Sequence, residues 1–329
     1  MKKIQLLILG LCLATLFQGC DNNSGTASSE PQKKLHLAFV ANTADDYWSI
    51  VQLGCDYAAR QLGDVDLEFR FPAVRTAKAQ QELLADLVNG GVDGVAISPI
   101  DADSQTDFLN DLAGKTLLVC ADSDAEKSKR ACYIGTDNVA AGKQAAELIK
   151  AALPQGGKVI LLVGYANAQN TKDRVQGIQS GLVGSHIQII DTLTDDHNST
   201  IAQKNAEDAL AKNPDLAGMV GIYGYHGPAI LTAVRSANKA GQVKIVCFDD
   251  DSDTLAGIAA GDIYGTVVQR PLEIGWQSIV NMDRYLRGDK TQMAAGKFLI
   301  PSRAVTKSNI DNFQDEQKAL FLKLKQQRP

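Results

Sequence analysis

The chain has 329 residues, room for about two domains at ~100–200 residues each. Hydrophobic residues make up 45% and charged residues 22%, a globular balance that excludes a disordered chain and a multi-span membrane protein. The formal net charge of −5 repels polyanions and argues against general nucleic-acid binding.

The N-terminus reads as an export signal. Met1-Lys2-Lys3 is positive, and Ile4 to Phe17 is an apolar run too short to cross ~30 Å of hydrocarbon comfortably. Gly19-Cys20 resembles a bacterial lipobox, in which Cys20 would be acylated, although Phe17 stands where that motif has Leu. An ordinary signal peptide with a coincidental Cys is the alternative. Asp21 resembles an inner-membrane retention signal, should the host be Gram-negative. The Ser-, Asn- and Gly-rich stretch that follows reads as a flexible tether.

Beyond it, strands and helices alternate. Strands are expected at Leu35–Val40, Asp66–Phe71, Gly94–Ser98 and Leu117–Ala121, and at another closed by Gly135-Thr136-Asp137-Asn138. The alternation restarts with strands Val159–Val163, Ile187–Ile190, Met219–Ile222, Ile245–Phe248 and Tyr264–Val268. Expected helices include Tyr47–Leu62 (stopped by Gly63), Thr76–Val88, Val139–Leu153, Thr171–Leu182, Ile201–Ala211, Pro228–Ala240 and Leu255–Ala260. The strands are continuous apolar runs, which suits parallel strands covered on both faces. About ten βα steps are too many for one open sheet of usual size. The fold class is therefore α/β with two doubly wound, Rossmann-like lobes.

Ligands bind such sheets beyond the carboxyl ends of the strands. Those ends carry Asn42-Thr43-Ala44-Asp45-Asp46-Tyr47-Trp48, Asp122-Ser123-Asp124, Asp195-Asp196-His197-Asn198, Tyr223-Gly224-Tyr225-His226, Phe248-Asp249-Asp250-Asp251 and Gln269-Arg270-Pro271. Carboxylates and amides supply acceptors and donors, and Arg174 at a helix opening supplies a fixed fork of donors. Aromatic faces cover the C–H face of a ring. The mixture suits a neutral polyhydroxylated ligand such as a sugar. Any one of these groups could equally be a cap or turn residue; their recurrence carries the reading.

Tyr133-Ile134-Gly135-Thr136-Asp137-Asn138 running into Ala141-Gly142, Arg174-Val175-Gln176-Gly177, Val246-Cys247-Phe248-Asp249 and Gly265-Thr266-Val267-Val268-Gln269 form a combined fingerprint. With them the chain, from Leu35 to Val305, resembles periplasmic sugar-binding proteins of the ribose-binding type, the solute receptors of ABC importers. The resemblance implies a type I periplasmic binding fold with a three-crossing hinge near Asn138, Arg270 and Ile300. It implies lobes of residues 35–138 with 270–299 and of 139–269 with 300–329, after a signal at 1–19 and a tether at 20–34. It further implies ligand contacts from Asp45, Tyr47, Trp48, Asp122, Ser123, Arg174, His197, His226, Asp249 and Gln269. Tyr47 would stack on the sugar, Asp45 would accept from a hydroxyl and Arg174 would donate. Ser123 stands where ribose-type members have Arg, and His197 and His226 also depart from the pattern. The implied protein is a monomer anchored through Cys20 outside the cytoplasm, with a monosaccharide or related polyol as ligand, ABC permease subunits as partners, and no cofactor or metal.

A sensor presenting the sugar to a chemoreceptor or histidine kinase is the alternative output. A glycosidase would need a carboxylate pair, and a transcription regulator a helix-turn-helix where the signal stands. Cys120 and Cys132 flank one loop and could pair as a disulfide or stay as buried thiols; no two of Cys55, Cys120, Cys132 and Cys247 have metal-ligand spacing. The tail from Asn309 to Gln327 reads as a terminal helix on the second lobe, with a membrane-surface helix as the alternative.

Overall fold

The computed structural model describes residues 33–326. The expected signal segment, Cys12, Cys20, Asp21 and almost all of the tether lie outside the described residues.

Two six-stranded sheets carry the fold. The first is built from β1 (Leu35–Val40), β2 (Val65–Arg70), β3 (Gly94–Ile97), β4 (Leu117–Ala121), β5 (Cys132–Thr136) and β11 (Lys297–Ile300), in the order β11-β5-β4-β3-β1-β2, with every pairing parallel. The second is built from β6 (Gly157–Val163), β7 (Ile187–Thr194), β8 (Leu216–Gly221), β9 (Lys244–Phe248), β10 (Gly265–Val268) and β12 (Arg303–Thr306), in the order β12-β10-β9-β8-β6-β7. Here β12 runs antiparallel to β10. Alternate side chains of β1 enter different cores, Leu37 and Phe39 on one face of the sheet and Ala38 and Val40 on the other. That two-sided burial is why the strands read as unbroken apolar runs.

The first sheet is flanked by α1 (Asp46–Leu62), α2 (Ala77–Asn89), α3 (Ala102–Ala113) and α9 (Pro271–Leu286). The second is flanked by α4 (Asn138–Ala152), α5 (Gln169–Gly181), α6 (Ser199–Lys212), α7 (His226–Ser236) and α8 (Ser252–Ala260). The chain passes between sheets from β5 into α4, from β10 into α9 and from β11 into β12. α10 (Ile310–Gln326) packs on α8 and β12 and buries Phe313, so the tail lies on the second lobe. α3, α9, β11 and β12 are not among the elements expected from the sequence.

Two motif glycines have a packing reason. A Cβ on Gly142 of α4 would lie 2.2 Å from the carbonyl oxygen of Arg174, and one on Gly177 of α5 would lie 2.2 Å from that of Val139. Only glycine lets the two helices approach this closely, and the approach sets the depth at which Arg174 sits.

Cys55, Cys120, Cys132 and Cys247 are buried free thiols, so the possible disulfide is not formed. In the β4–β5 ladder Cys132 pairs with Val119 and Cys120 with Tyr133. The two thiols therefore point to opposite faces of the sheet, where they enter different cores.

Candidate functional site

A cavity of about 660 Å³ lies between the carboxyl ends of the two sheets. It is lined by eight of the ten residues expected there, namely Asp45, Tyr47, Trp48, Asp122, Arg174, His197, Asp249 and Gln269. Ser123 and His226 do not line it. Both are fully buried.

The floor on the first lobe is Asp122, the residue that leaves β4. It holds φ of 63°, in the left-handed region. Its amide donates to the carbonyl of Ile134 at 3.1 Å, and its carbonyl accepts from the Tyr133 hydroxyl at 2.9 Å. These bonds hold the backbone turn and point the carboxylate into the cleft. Tyr47 donates to Oδ1 at 2.8 Å, and Ser98 and Asn170 donate to Oδ2 at 3.1 and 3.3 Å. Burial pushes the carboxyl's pKa up, while Arg174, Tyr47 and Ser98 pull it back. Tyr47 is thus bonded through its hydroxyl to Asp122, and Trp48 packs its ring against Tyr47 and Phe39 in the wall.

Arg174 forms the centre of the floor and is 1% exposed. Its Nε donates to Asn138 Oδ1 at 2.9 Å and its Nη1 to the carbonyl of Ile222 at 2.7 Å, while the guanidinium lies 4.7 Å from the Phe248 ring centroid. Nη2 is buried with no hydrogen-bond partner among the described residues. The Thr-Asp-Asn motif explains part of this: Asp137 caps α4 by accepting from the Ala140 amide, and Asn138 then orients the arginine.

Asp249, the residue that leaves β9, has φ of 66°, and its amide donates to the Val267 carbonyl at 2.9 Å. Its Oδ1 accepts from Gln269 Nε2 at 2.8 Å. Gln269 in turn accepts from Thr136 Oγ1 at 3.0 Å, tying the end of β10 to the end of β5. Desolvation first, then Asp250 and Asp122, raise the Asp249 pKa to about 7, with Arg174 and Gln269 opposing.

Three of the residues expected at the site are engaged within the protein. Both oxygens of Asp45 are bonded within the protein, one capping α1 through the Trp48 amide at 3.1 Å and the other on His197 Nε2 at 3.0 Å. His226 lies beneath the cleft. Its Nδ1 accepts from the Tyr223 amide at 3.0 Å and its Nε2 faces Asp195 at 2.7 Å. The turn places Tyr225, one residue earlier, in the lining. Ser123 turns into the protein, its amide bonded to the Ala121 carbonyl at 2.7 Å.

Sequence reasoning did not assign Asn42, Asn170, Tyr223 or Tyr225, all of which line the cavity. Each stands in a strand-end or helix-opening segment that drew attention for its polarity, so position was the available signal. Among the described residues no group of three or more His, Cys, Asp or Glu is placed to hold a metal ion, and no helix is long and apolar enough to cross a membrane.

Two parallel-sheet lobes joined by three crossings, with side chains of both converging on one cavity, define a two-lobed receptor of the type I fold. The chain belongs to the periplasmic binding protein domain family, whose model matches residues 37–290. It is 28% identical over 222 residues to the ribose import binding protein RbsB of Bacillus subtilis, a span of 67% of this chain and 72% of that protein. It is 25% identical over 300 residues to the ribose import binding protein RbsB of Escherichia coli, covering 89% of this chain and 95% of the relative. A crystal structure of an ABC transporter solute binding protein from Burkholderia graminis in complex with D-arabinose matches at a TM-score of 0.81 and 28% identity, over 85% of this chain and 98% of that one.

Proposed function

We propose that this protein is an extracytoplasmic receptor that captures a sugar or related polyol between its lobes by hinge closure and delivers it to an ABC importer. The observation that carries the reading is Arg174, a fully buried guanidinium with Nη2 unpartnered among the described residues, on the floor of a cavity lined from both lobes. A cavity of about 660 Å³ falls within the ~300–1,000 Å³ typical of small-ligand sites. Arg174 Nη2 and the free carboxylate oxygen of Asp249 offer a donor and an acceptor to hydroxyl groups, and the rings of Tyr47, Trp48, Tyr223 and Tyr225 offer apolar contact. A ligand that touches both lobes binds the closed arrangement better than an open one and shifts the hinge toward closure. The mechanism requires no bond making or breaking, so the reading is of a binding protein and not an enzyme.

Isothermal titration calorimetry against a panel of pentoses, hexoses and polyols tests this. At least one member binds the native protein, and Arg174→Ala weakens that binding by about a hundredfold or more, because the variant removes the buried donor that faces the ligand and the positive charge that offsets Asp122 and Asp249. A panel without any binder defeats the sugar reading; unchanged affinity in Arg174→Ala defeats the site. Relatives that are named for ribose, and a neighbour solved with D-arabinose, support the choice of panel.

The reading includes a monomer tethered to the membrane through acylated Cys20. Substituting Cys20→Ser releases the protein from the membrane fraction if this is right; retention of the variant there counts against the anchor.

A further inference from the structure

Asp45 and His197 were both expected to touch ligand, yet they are bonded to each other across the cleft. Asp45 belongs to the first lobe, at the N-cap of α1, and His197 to the second, in the turn between β7 and α6. Asp45 Oδ2 lies 3.0 Å from His197 Nε2. A carboxylate only accepts, so Nε2–H donates. A second bond crosses at the same residue. Arg75 of the first lobe donates from Nη1 to the His197 carbonyl at 2.8 Å.

The histidine is presented by a backbone that requires support. Asp196 and His197 hold φ of 51° and 61°, two successive non-glycine residues in the left-handed region. Buried Asp195 anchors this turn, accepting from Tyr225 OH, from His226 Nε2 at 2.7 Å and from the Asn198 amide at 3.3 Å. Burial lowers the His226 pKa, and its Nδ1, accepting from the Tyr223 amide, leaves Nε2 as the donor to Asp195. The Tyr165 ring stacks on His197 at 5.5 Å between centroids and 23° between planes. His226 and Asp195 thus act through the turn, as positioning residues for His197.

We propose that His197 is an inter-lobe latch, which through Asp45 and Arg75 holds the lobes together independently of the ligand's identity and so sets affinity without setting selectivity. The proposal rests on the closure reading above. Its logic is that of linked equilibria: apparent affinity scales with the fraction of molecules that are binding-competent, so a contact made only in the closed state changes every ligand's affinity by one common factor. A direct ligand contact changes different ligands by different factors.

The test uses the purified protein and its His197→Ala, Asp45→Ala and doubly substituted variants. Small-angle X-ray scattering without sugar reads the latch alone: each variant has a larger radius of gyration than the native protein. Calorimetry with the panel sugars reads the linkage. Each single variant loses affinity by about fivefold to thirtyfold, by the same factor for every sugar, and the double variant is no worse than the weaker single. His197→Gln, which retains a donor near the Nε2 position, recovers part of the loss. Scattering curves that superimpose overturn the latch. So does a loss that reorders the sugars, which makes His197 a ligand contact, or a loss that is additive in the double variant. If no panel sugar binds the native protein, the sugar reading has failed, and the scattering comparison still decides the latch.

Discussion

Asp122 and Asp249 stand at equivalent places in two lobes built on the same strand order. Each leaves the fourth strand of its lobe, each holds φ near 65°, and each amide donates to the strand next in sequence, at Ile134 and Val267. Their carboxylates differ. Asp122 accepts from Tyr47, Ser98 and Asn170 and has both oxygens engaged, whereas Asp249 accepts from Gln269 through one oxygen. The same backbone device therefore serves two purposes. In the first lobe it fixes Tyr47 and Ser98 and receives Asn170 from the opposite lobe; in the second it keeps an acceptor open in the cleft. The bond count separates a carboxylate with both oxygens engaged from one with an oxygen left open.

The largest expected effect comes from deleting each in turn. Asp122→Ala leaves three buried donors unpaired, at ~1–3 kcal/mol each at most, and is expected to destabilise the fold by about 3 kcal/mol or more. Asp249→Ala is expected to change stability by about 1 kcal/mol or less, while lowering sugar affinity by at least about tenfold. Thermal denaturation and calorimetry on both variants separate the two roles. Equal stability losses would break the distinction.

A smaller effect is readable in pH. The Asp249 carboxyl titrates at about 7 in the folded protein against an ordinary 3.8, because of desolvation and then the carboxylates of Asp250 and Asp122. Between about 4 and about 7 the folded chain keeps a proton that the unfolded chain has released. Stability from this group is therefore full below that window, falls as pH rises through it and is flat above. Asp249→Asn is expected to shrink the drop in melting temperature between pH 5 and pH 8. A drop of unchanged size would show that the floor of the cleft is better solvated than its geometry indicates.

Most of the fold was legible because burial on both faces leaves a simple mark. Strands such as Val159–Val163 are continuous apolar runs, and α1 ends at Gly63 in the left-handed conformation, as expected of a glycine stop. The elements that escaped notice lack such marks. β11 and β12 are four residues long and half-exposed, and α9 follows a segment that reads as a strand end. At the site, position along the chain located the cleft, but direction did not follow from position. Asp45, His226 and Ser123 stand at strand ends, and their side chains are turned by a cap, a buried Asp195 and the Asp122 backbone, none of which adjacency in sequence reveals.

The late return of the chain to its first sheet has a consequence for how the molecule is assembled. β5 ends at Thr136, yet its outer neighbour β11 begins at Lys297, and α1 packs on α9, which begins at Pro271. The first lobe to be synthesised therefore waits for the end of the chain, as does the second, whose β12 begins at Arg303. β5 presents an open edge until about the last tenth of the polypeptide has emerged, and α1 an uncovered apolar face until α9 is made, the two features that invite mispairing between chains. Pairings between segments so far apart in sequence are of the kind that slow folding.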